Sequence, residues 1–205
     1  SPANPQGVIA GRDYWEQLLN LAEKYNFKVF SDECYSEIYR KKPPVGALEV
    51  ARKIGVDPDR VLIFNSLSKR SNLPGLRSGF VLSGKNSIRK IKILRAYSGA
   101  PLPSPLQSAA EKVWLDESHV KTNRELYIEK FNISDGIFEE VERYNSPEAG
   151  FFLWLHCGEG EAAALKLWRE VGLKVLPGAY LAHGSKRTNP GREYIRVALV
   201  APKEE

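Results

Sequence analysis

The spacing of apolar and polar positions changes character along the chain, and each change marks an element. Across residues 13–25, Trp15, Leu18, Leu19 and Ala22 recur at the interval that lines one face of a helix, so an amphipathic helix is predicted there. A short apolar run, Lys28-Val29-Phe30, follows and ends in Ser31-Asp32; a second, Val61-Leu62-Ile63-Phe64, ends in Asn65-Ser66. Both are too short for helices and are bounded by polar residues, which suits strands of a parallel sheet buried on both faces. Gly79-Phe80-Val81-Leu82 reads as a third strand. Helices are expected at 87–97, at 105–115 and, at greater length, at about 118–141. The stretch from Gly99 to Pro105, with three prolines, is expected to be an irregular connection.

Beyond Asn145-Ser146-Pro147 the pattern changes again. A strand at 150–156, a helix at 161–171 and strands at 174–176 and 193–200 make a small α+β unit. The expected boundary lies near residue 118, giving an α/β part over 1–118 and a carboxyl-terminal part over 119–205. There are no internal repeats.

Composition adds little beyond class. At 205 residues, 42% hydrophobic and 27% charged, the chain has the make-up of a soluble globular protein with room for a sizeable core. No apolar run approaches the roughly 18 residues of a membrane span, and nothing at the start resembles a signal peptide. Two cysteines, Cys34 and Cys157, both in apolar segments, argue against a disulfide framework and for a reducing cytosol. His119, His156 and His183 have no ligand-like spacing with them, so no metal site is indicated. Gly158-Glu159-Gly160 has the glycines of a tight turn but not the length of a phosphate loop. The net charge of +5 is modest. Its densest stretch, Arg89, Lys90, Lys92 and Arg95, suits a solvated helix face, or else a pocket for an anion; no motif supports nucleic-acid binding. The chain opens Ser1-Pro2-Ala3-Asn4-Pro5 and contains no methionine, so a processed chain or, preferably, a fragment is expected.

Candidate chemistry gathers at strand ends and turns, where open α/β sheets bind ligands. Taken singly, Asp32 is an ordinary cap or turn residue, Lys69 an ordinary surface lysine and Asn4-Pro5-Gln6-Gly7 a turn. Together the motifs say more. Asn4-Pro5-Gln6-Gly7, Asp32-x-x-Tyr35, Ser66-Leu67-Ser68-Lys69, Gly75-Leu76-Arg77-Ser78-Gly79-Phe80 and Tyr194-Ile195-Arg196-Val197 follow one another across essentially the whole chain. In order and spacing they resemble the fold-type I pyridoxal-phosphate-dependent aminotransferases of class I/II.

That resemblance implies an α/β fold. Residues 1–118 would be a partial cofactor-binding large domain, a mostly parallel sheet with helices, and 119–205 the small α+β carboxyl-terminal domain. Lys69 would hold the cofactor through its aldehyde, then shuttle the proton between substrate Cα and cofactor C4′, which burial and neighbouring positive charge favour by keeping an amine neutral. Asp32 would pair with the pyridine nitrogen and keep it protonated, so that the ring can accept electrons. Tyr35 and Asn4 would donate to the ring hydroxyl oxygen, although Tyr39 is a similar residue and plain packing stays open for Tyr35. Ser66, Ser68 and Arg77 would bind the phosphate, a guanidinium fork and hydroxyls suiting that anion; Ser68 would serve equally as a helix cap. In the last strand Ile195, Val197 and Leu199 share one face, which sends Arg196 to the other with Tyr194 and Ala198. There it would clamp the substrate α-carboxylate, unless it is simply an exposed arginine. Arg70 and Lys41-Lys42 could meet a distal carboxylate, with surface charge the better reading for the lysines.

The resemblance begins at the Asn-Pro turn. In this family the preceding half supplies a glycine-rich phosphate loop, an aromatic that stacks on the cofactor and most of the substrate-recognition segment. The family works as homodimers, with the connection from Tyr97 to Pro103 at such an interface, so the chain alone is expected to turn over poorly. Ser31-Asp32-Glu33-Cys34-Tyr35-Ser36-Glu37-Ile38-Tyr39, Ser66-Leu67-Ser68-Lys69-Arg70-Ser71 and Asn189-Pro190-Gly191 look most like N-succinyldiaminopimelate aminotransferases of lysine biosynthesis. Those act on an amino acid and a 2-oxo acid such as 2-oxoglutarate. Two alternatives stand beside this reading: a carbon–sulfur lyase on the same scaffold, and the aminotransferase-like sensor domain of a transcription regulator.

Overall fold

Helix α1 (Arg12–Lys24) buries Trp15, Leu19 and Ala22, three positions of the predicted stripe, while Asp13 in its first turn and Lys24 in its last complement the helix dipole. Strand β1 (Val29–Asp32) follows. In this computed structural model, which describes residues 1–185 and 188–203, β1 pairs in parallel with β2 (Val61–Ser66), Val29 lying opposite Val61 and Asp32 opposite Phe64. A third strand, β3 (Gly79–Leu82), runs antiparallel to β2, so the sheet order is β1-β2-β3. The antiparallel return has a simple cause. Residues between β2 and β3 form only the single turn α3 (Leu67–Arg70) and a 3₁₀ turn at Pro74–Leu76, not the crossover helix that a parallel strand requires.

Burial on both faces holds for the start of β2, where Val61, Leu62 and Ile63 are all buried, but not for β1 or β3. Val29 and Ser31 of β1 are buried, but Phe30 between them is 68% exposed, and Phe80 and Leu82 of β3 are exposed as well. One face is covered along its length by α1 and by α2 (Ala47–Ile54), whose Ala47, Val50 and Ala51 join Trp15, Leu19, Val29, Val61 and Ile63 in the core. Helix α2 was not among the predicted elements. It ends on Gly55 in the left-handed region (φ 78°), where glycine avoids a Cβ penalty.

Helices α4 (Lys85–Tyr97) and α5 (Ser104–Leu115) come next, followed by the long α6 (Ser118–Phe138). Asp59 fixes the start of α4 by accepting from the Ser87 N–H at 2.7 Å and the Asn86 side chain at 2.8 Å. Arg89, Lys90, Lys92 and Arg95 are all exposed on it, as a solvated face would be. Among the described residues no helix is long and apolar enough to cross a membrane.

Contacts divide the chain into two compact units, Ser1–Pro2 with Ile9–Arg124, and Ala3–Val8 with Glu125–Glu205. The division falls inside α6 and assigns the Asn4-Pro5-Gln6-Gly7 turn to the carboxyl-terminal unit. That turn needs its glycine: Gly7 has φ 69°, and a Cβ there would come within 2.5 Å of the Pro147 Cβ. The same unit holds an antiparallel sheet in the order β4-β6-β5, made of β4 (Phe152–His156), β5 (Leu176–Pro177) and β6 (Tyr194–Ala198), with α7 (Gly160–Val171) packed on β5 and β6. Strand β5 is shorter than its apolar run suggested and shifted toward its end, because the chain turns into a 3₁₀ segment at Gly178–Leu181 directly after Pro177.

Candidate active site

Because β1 and β2 are parallel neighbours, their carboxyl ends open on the same edge of the sheet. Asp32 is the last residue of β1. Its Oδ1 accepts from the Cys34 N–H at 3.0 Å, which shapes the turn leaving the strand. Glu33 ties that turn down: its Oε1 accepts from the Ser31 hydroxyl at 3.1 Å and from the Ala47 N–H, at the start of α2, at 3.0 Å.

Ser66, the last residue of β2, caps α3 by accepting from the Ser68 N–H at 3.2 Å. Ser66 and not Ser68 is therefore the cap, which leaves the Ser68 hydroxyl for another partner. Within α3, Leu67 and Arg70 are buried, and Lys69 lies half-buried between them.

Cys34 shows how close these groups are. Burial first, then a hydrogen bond with Asp32 and its charge, push the thiol up to about 11, against the opposing pull of a hydrogen bond with Ser66 and the charge of Lys69. One sulfur thus senses Asp32, Ser66 and Lys69 together. Sequence reasoning passed over Cys34, although it sits inside the Asp32-x-x-Tyr35 motif. The direction of the shift carries a prediction: Cys34 should stay protonated and resist iodoacetamide at about pH 8, where a free thiol is substantially ionised. Alkylation should accelerate only as the pH nears 11, followed by mass spectrometry of the Cys34 peptide. Free-thiol reactivity at pH 8 would mean that Cys34 does not sit where these contacts put it.

A cavity of about 580 Å³ opens beside this edge, lined by Cys34, Asn65, Ser66, Gly79, Lys92 and Arg95. Arg77 lines a neighbouring space of about 890 Å³ with Arg95, Gln107 and Trp114. It occupies the left-handed region (φ 54°), and its guanidinium donates to the Pro74 carbonyl at 2.8 Å, within its own turn. Of the two tyrosines after Asp32, Tyr39 packs under the Arg124 guanidinium, 4.2 Å from its ring centroid, and Arg124 is held by Glu37 at 2.7 Å. Tyr35 is half-buried in the turn, its carbonyl accepting from the Ile38 N–H at 3.0 Å. Arg70 is not presented to solvent. It is 5% exposed and points to the end of α5.

In the carboxyl-terminal unit, Arg196 and Asn4 come together across 192 positions of sequence: the Arg196 guanidinium donates to Asn4 Oδ1 at 2.9 Å. Ile195 is buried, and Arg196 faces the other way, 4.3 Å from the Phe152 ring centroid. The buried Nε of Arg196 has no hydrogen-bond partner, a donor suited to an anion. With its Oδ1 engaged, Asn4 has its amide N–H groups to offer.

Known proteins resemble the chain over its whole length. Over 205 residues the chain is 30% identical to a 4-dedimethylamino-4-oxo-anhydrotetracycline transaminase, OxyQ, of Streptomyces rimosus, covering 100% of this chain and 55% of that one. An LL-diaminopimelate aminotransferase of Dehalococcoides mccartyi is 28% identical, with 100% and 52% covered. Among solved structures, an aminotransferase from Neisseria meningitidis superposes with a TM-score of 0.91 at 43% identity, over 98% of this chain and 52% of the other. The chain thus spans about half the length of the relatives it matches. The family model described as aminotransferase class I and II matches residues 1–205, and the chain belongs to that pyridoxal-phosphate-dependent family.

Proposed function

We propose that the protein to which this chain belongs moves an amino group between an amino acid and a 2-oxo acid, with N-succinyl-diaminopimelate and 2-oxoglutarate as the pair. The observation that carries the reading is the Lys69 amine and the Asp32 carboxylate at adjacent parallel strand ends, both acting on the Cys34 thiol. The donor set fits the cofactor: a carboxylate for a pyridine nitrogen, an amine for an aldehyde, and hydroxyls with a guanidinium for a phosphate.

When bound, pyridoxal phosphate supplies a sink for the electrons left as the substrate Cα–H bond breaks. The rest is the work of this chain's side chains. Asp32 holds the proton on the ring nitrogen, and Lys69 Nζ takes the proton from Cα. Ser66, Ser68 and Arg77 anchor the phosphate, while Tyr35 and Asn4 donate to the ring hydroxyl oxygen. Arg196 offers its unpartnered Nε and its fork to the substrate α-carboxylate, held in orientation by Asn4 and Phe152. A homodimer in the cytosol is the expected assembly. The 91% exposure of Tyr97, at the head of the connection assigned to the interface, supports it.

Diaminopimelate-type substrates rest on the motifs around Asp32 and Lys69 and on the relatives named LL-diaminopimelate aminotransferase. The test is a donor panel on the full-length gene product with 2-oxoglutarate, scored by glutamate formed. N-succinyl-LL-diaminopimelate should outperform LL-diaminopimelate and aspartate. A preference for either of the others removes the substrate reading. Pyruvate and ammonia from a cysteine-type donor, with no amino transfer, replace a transferase by a lyase.

A further inference from the structure

The lysine sits on a helix that cannot hold itself. A single four-residue turn lies far below the length at which helices are stable alone, so something else must fix Lys69. At the front, Ser66 caps the turn and the Leu67 N–H donates to the Ser78 carbonyl at 3.0 Å. At the back stands Arg70, the one buried arginine among the described residues. Its guanidinium donates to the Val113 carbonyl at 3.2 Å, the Trp114 carbonyl at 3.3 Å, the Ser71 hydroxyl at 3.3 Å and the Glu117 carboxylate. It also lies 5.2 Å from the Trp114 ring centroid.

Val113 and Trp114 belong to the last turn of α5, where carbonyls lack partners within the helix and a cation is favourable. The next residue, Ser71, binds the same junction: its hydroxyl meets His119 Nε2 at 2.8 Å, and His119 Nδ1 meets Asp116 at 2.8 Å. Hydrogen bonds from Ser118, then from His119, hold Asp116 at about 2, so it stays ionised at neutral pH.

Resting on the reading of Lys69 given above, we propose that Arg70 is the positioning residue that fixes the Lys69 turn, by clamping it to the carboxyl end of α5. A planar fork with several donors can satisfy four acceptors from one buried position; a lysine ammonium, with three donors and no plane, cannot. Arg70 is then not a substrate contact, and its effect passes through the orientation of its neighbour.

Competition labelling tests this. The protein is treated with limiting pyridoxal phosphate, reduced with borohydride and digested, and the adduct on Lys69 is divided by that on the exposed Lys53 of the same molecules. In the wild type Lys69 should label in excess of Lys53. Arg70→Lys, examined below its unfolding midpoint, should lower the ratio about fivefold or more, since small displacements of a reacting group are costly. Glu117→Gln, at a largely exposed carboxylate, should lower it about twofold. A role confined to stability would lower the midpoint and leave the ratio alone, and a folded Arg70→Lys with the wild-type ratio overturns the proposal. Should Arg70→Lys fail to fold, Glu117→Gln decides: a lowered ratio supports the clamp and an unchanged one overturns it. Wild-type Lys69 labelling no better than Lys53 sinks the reading of Lys69 itself, and this inference with it.

Discussion

Lys69→Ala is expected to abolish transfer by the full-length protein, lowering kcat by on the order of 10⁴-fold or more, as removal of a covalent catalyst does. Two losses combine. The amine that would hold the cofactor's aldehyde is gone, and so is the base for the substrate Cα proton. Fold stability should barely change, because Lys69 is only half-buried, while Leu67 and Arg70 anchor the turn on either side. The measurement is single-turnover kinetics on the variant, with circular dichroism to confirm folding. Activity within about tenfold of wild type would assign the chemistry to another residue.

The second large effect is expected at Asp32. Asp32→Asn keeps the shape but loses the charge that would hold a proton on the ring nitrogen, and kcat should fall by roughly 10² to 10³, the scale of deleting one preorganised electrostatic partner. The substitution has a second consequence that needs no cofactor. Asp32 helps to hold the Cys34 thiol protonated, by a hydrogen bond and by its charge. Without that charge the folded Cys34 should ionise at lower pH, and iodoacetamide should reach it at lower pH than in the wild type. An alkylation profile that does not move would separate Asp32 from Cys34, and so from the Lys69 neighbourhood.

How far the chain could be read from its letters depended on whether the deciding contacts were local. The periodicity of Trp15, Leu19 and Ala22 set the buried face of α1, and strand alternation turned Arg196 away from Ile195; both are local properties. The spacing of Ala47, Leu48, Val50 and Ala51 was equally legible, but eight residues soon after Pro43-Pro44 make a weak signal. Strand apolarity could not say that β2 is covered on both faces while β1 is covered on one: Leu62 is buried, whereas Phe30 beside it is exposed, on the side away from α1 and α2.

Side-chain partners were the least legible part. Nothing near Arg70 in sequence announces the end of α5, more than forty positions on, where its hydrogen bonds go. That is why a distal carboxylate was a natural expectation and burial the outcome. Asn4 meeting Arg196 is likewise invisible in either motif alone. The order of motifs fixed the family, while the division of labour among hydroxyls, with Ser66 as the cap, took coordinates.

A crystal structure of the full-length protein, reduced with borohydride in the presence of pyridoxal phosphate, tests the roles of Lys69 and Asp32 most directly. Continuous density is expected from Lys69 Nζ into the cofactor, with the Asp32 carboxylate within hydrogen-bond distance of the ring nitrogen. Density joining the cofactor to a different lysine, or a ring nitrogen facing away from Asp32, would contradict those roles.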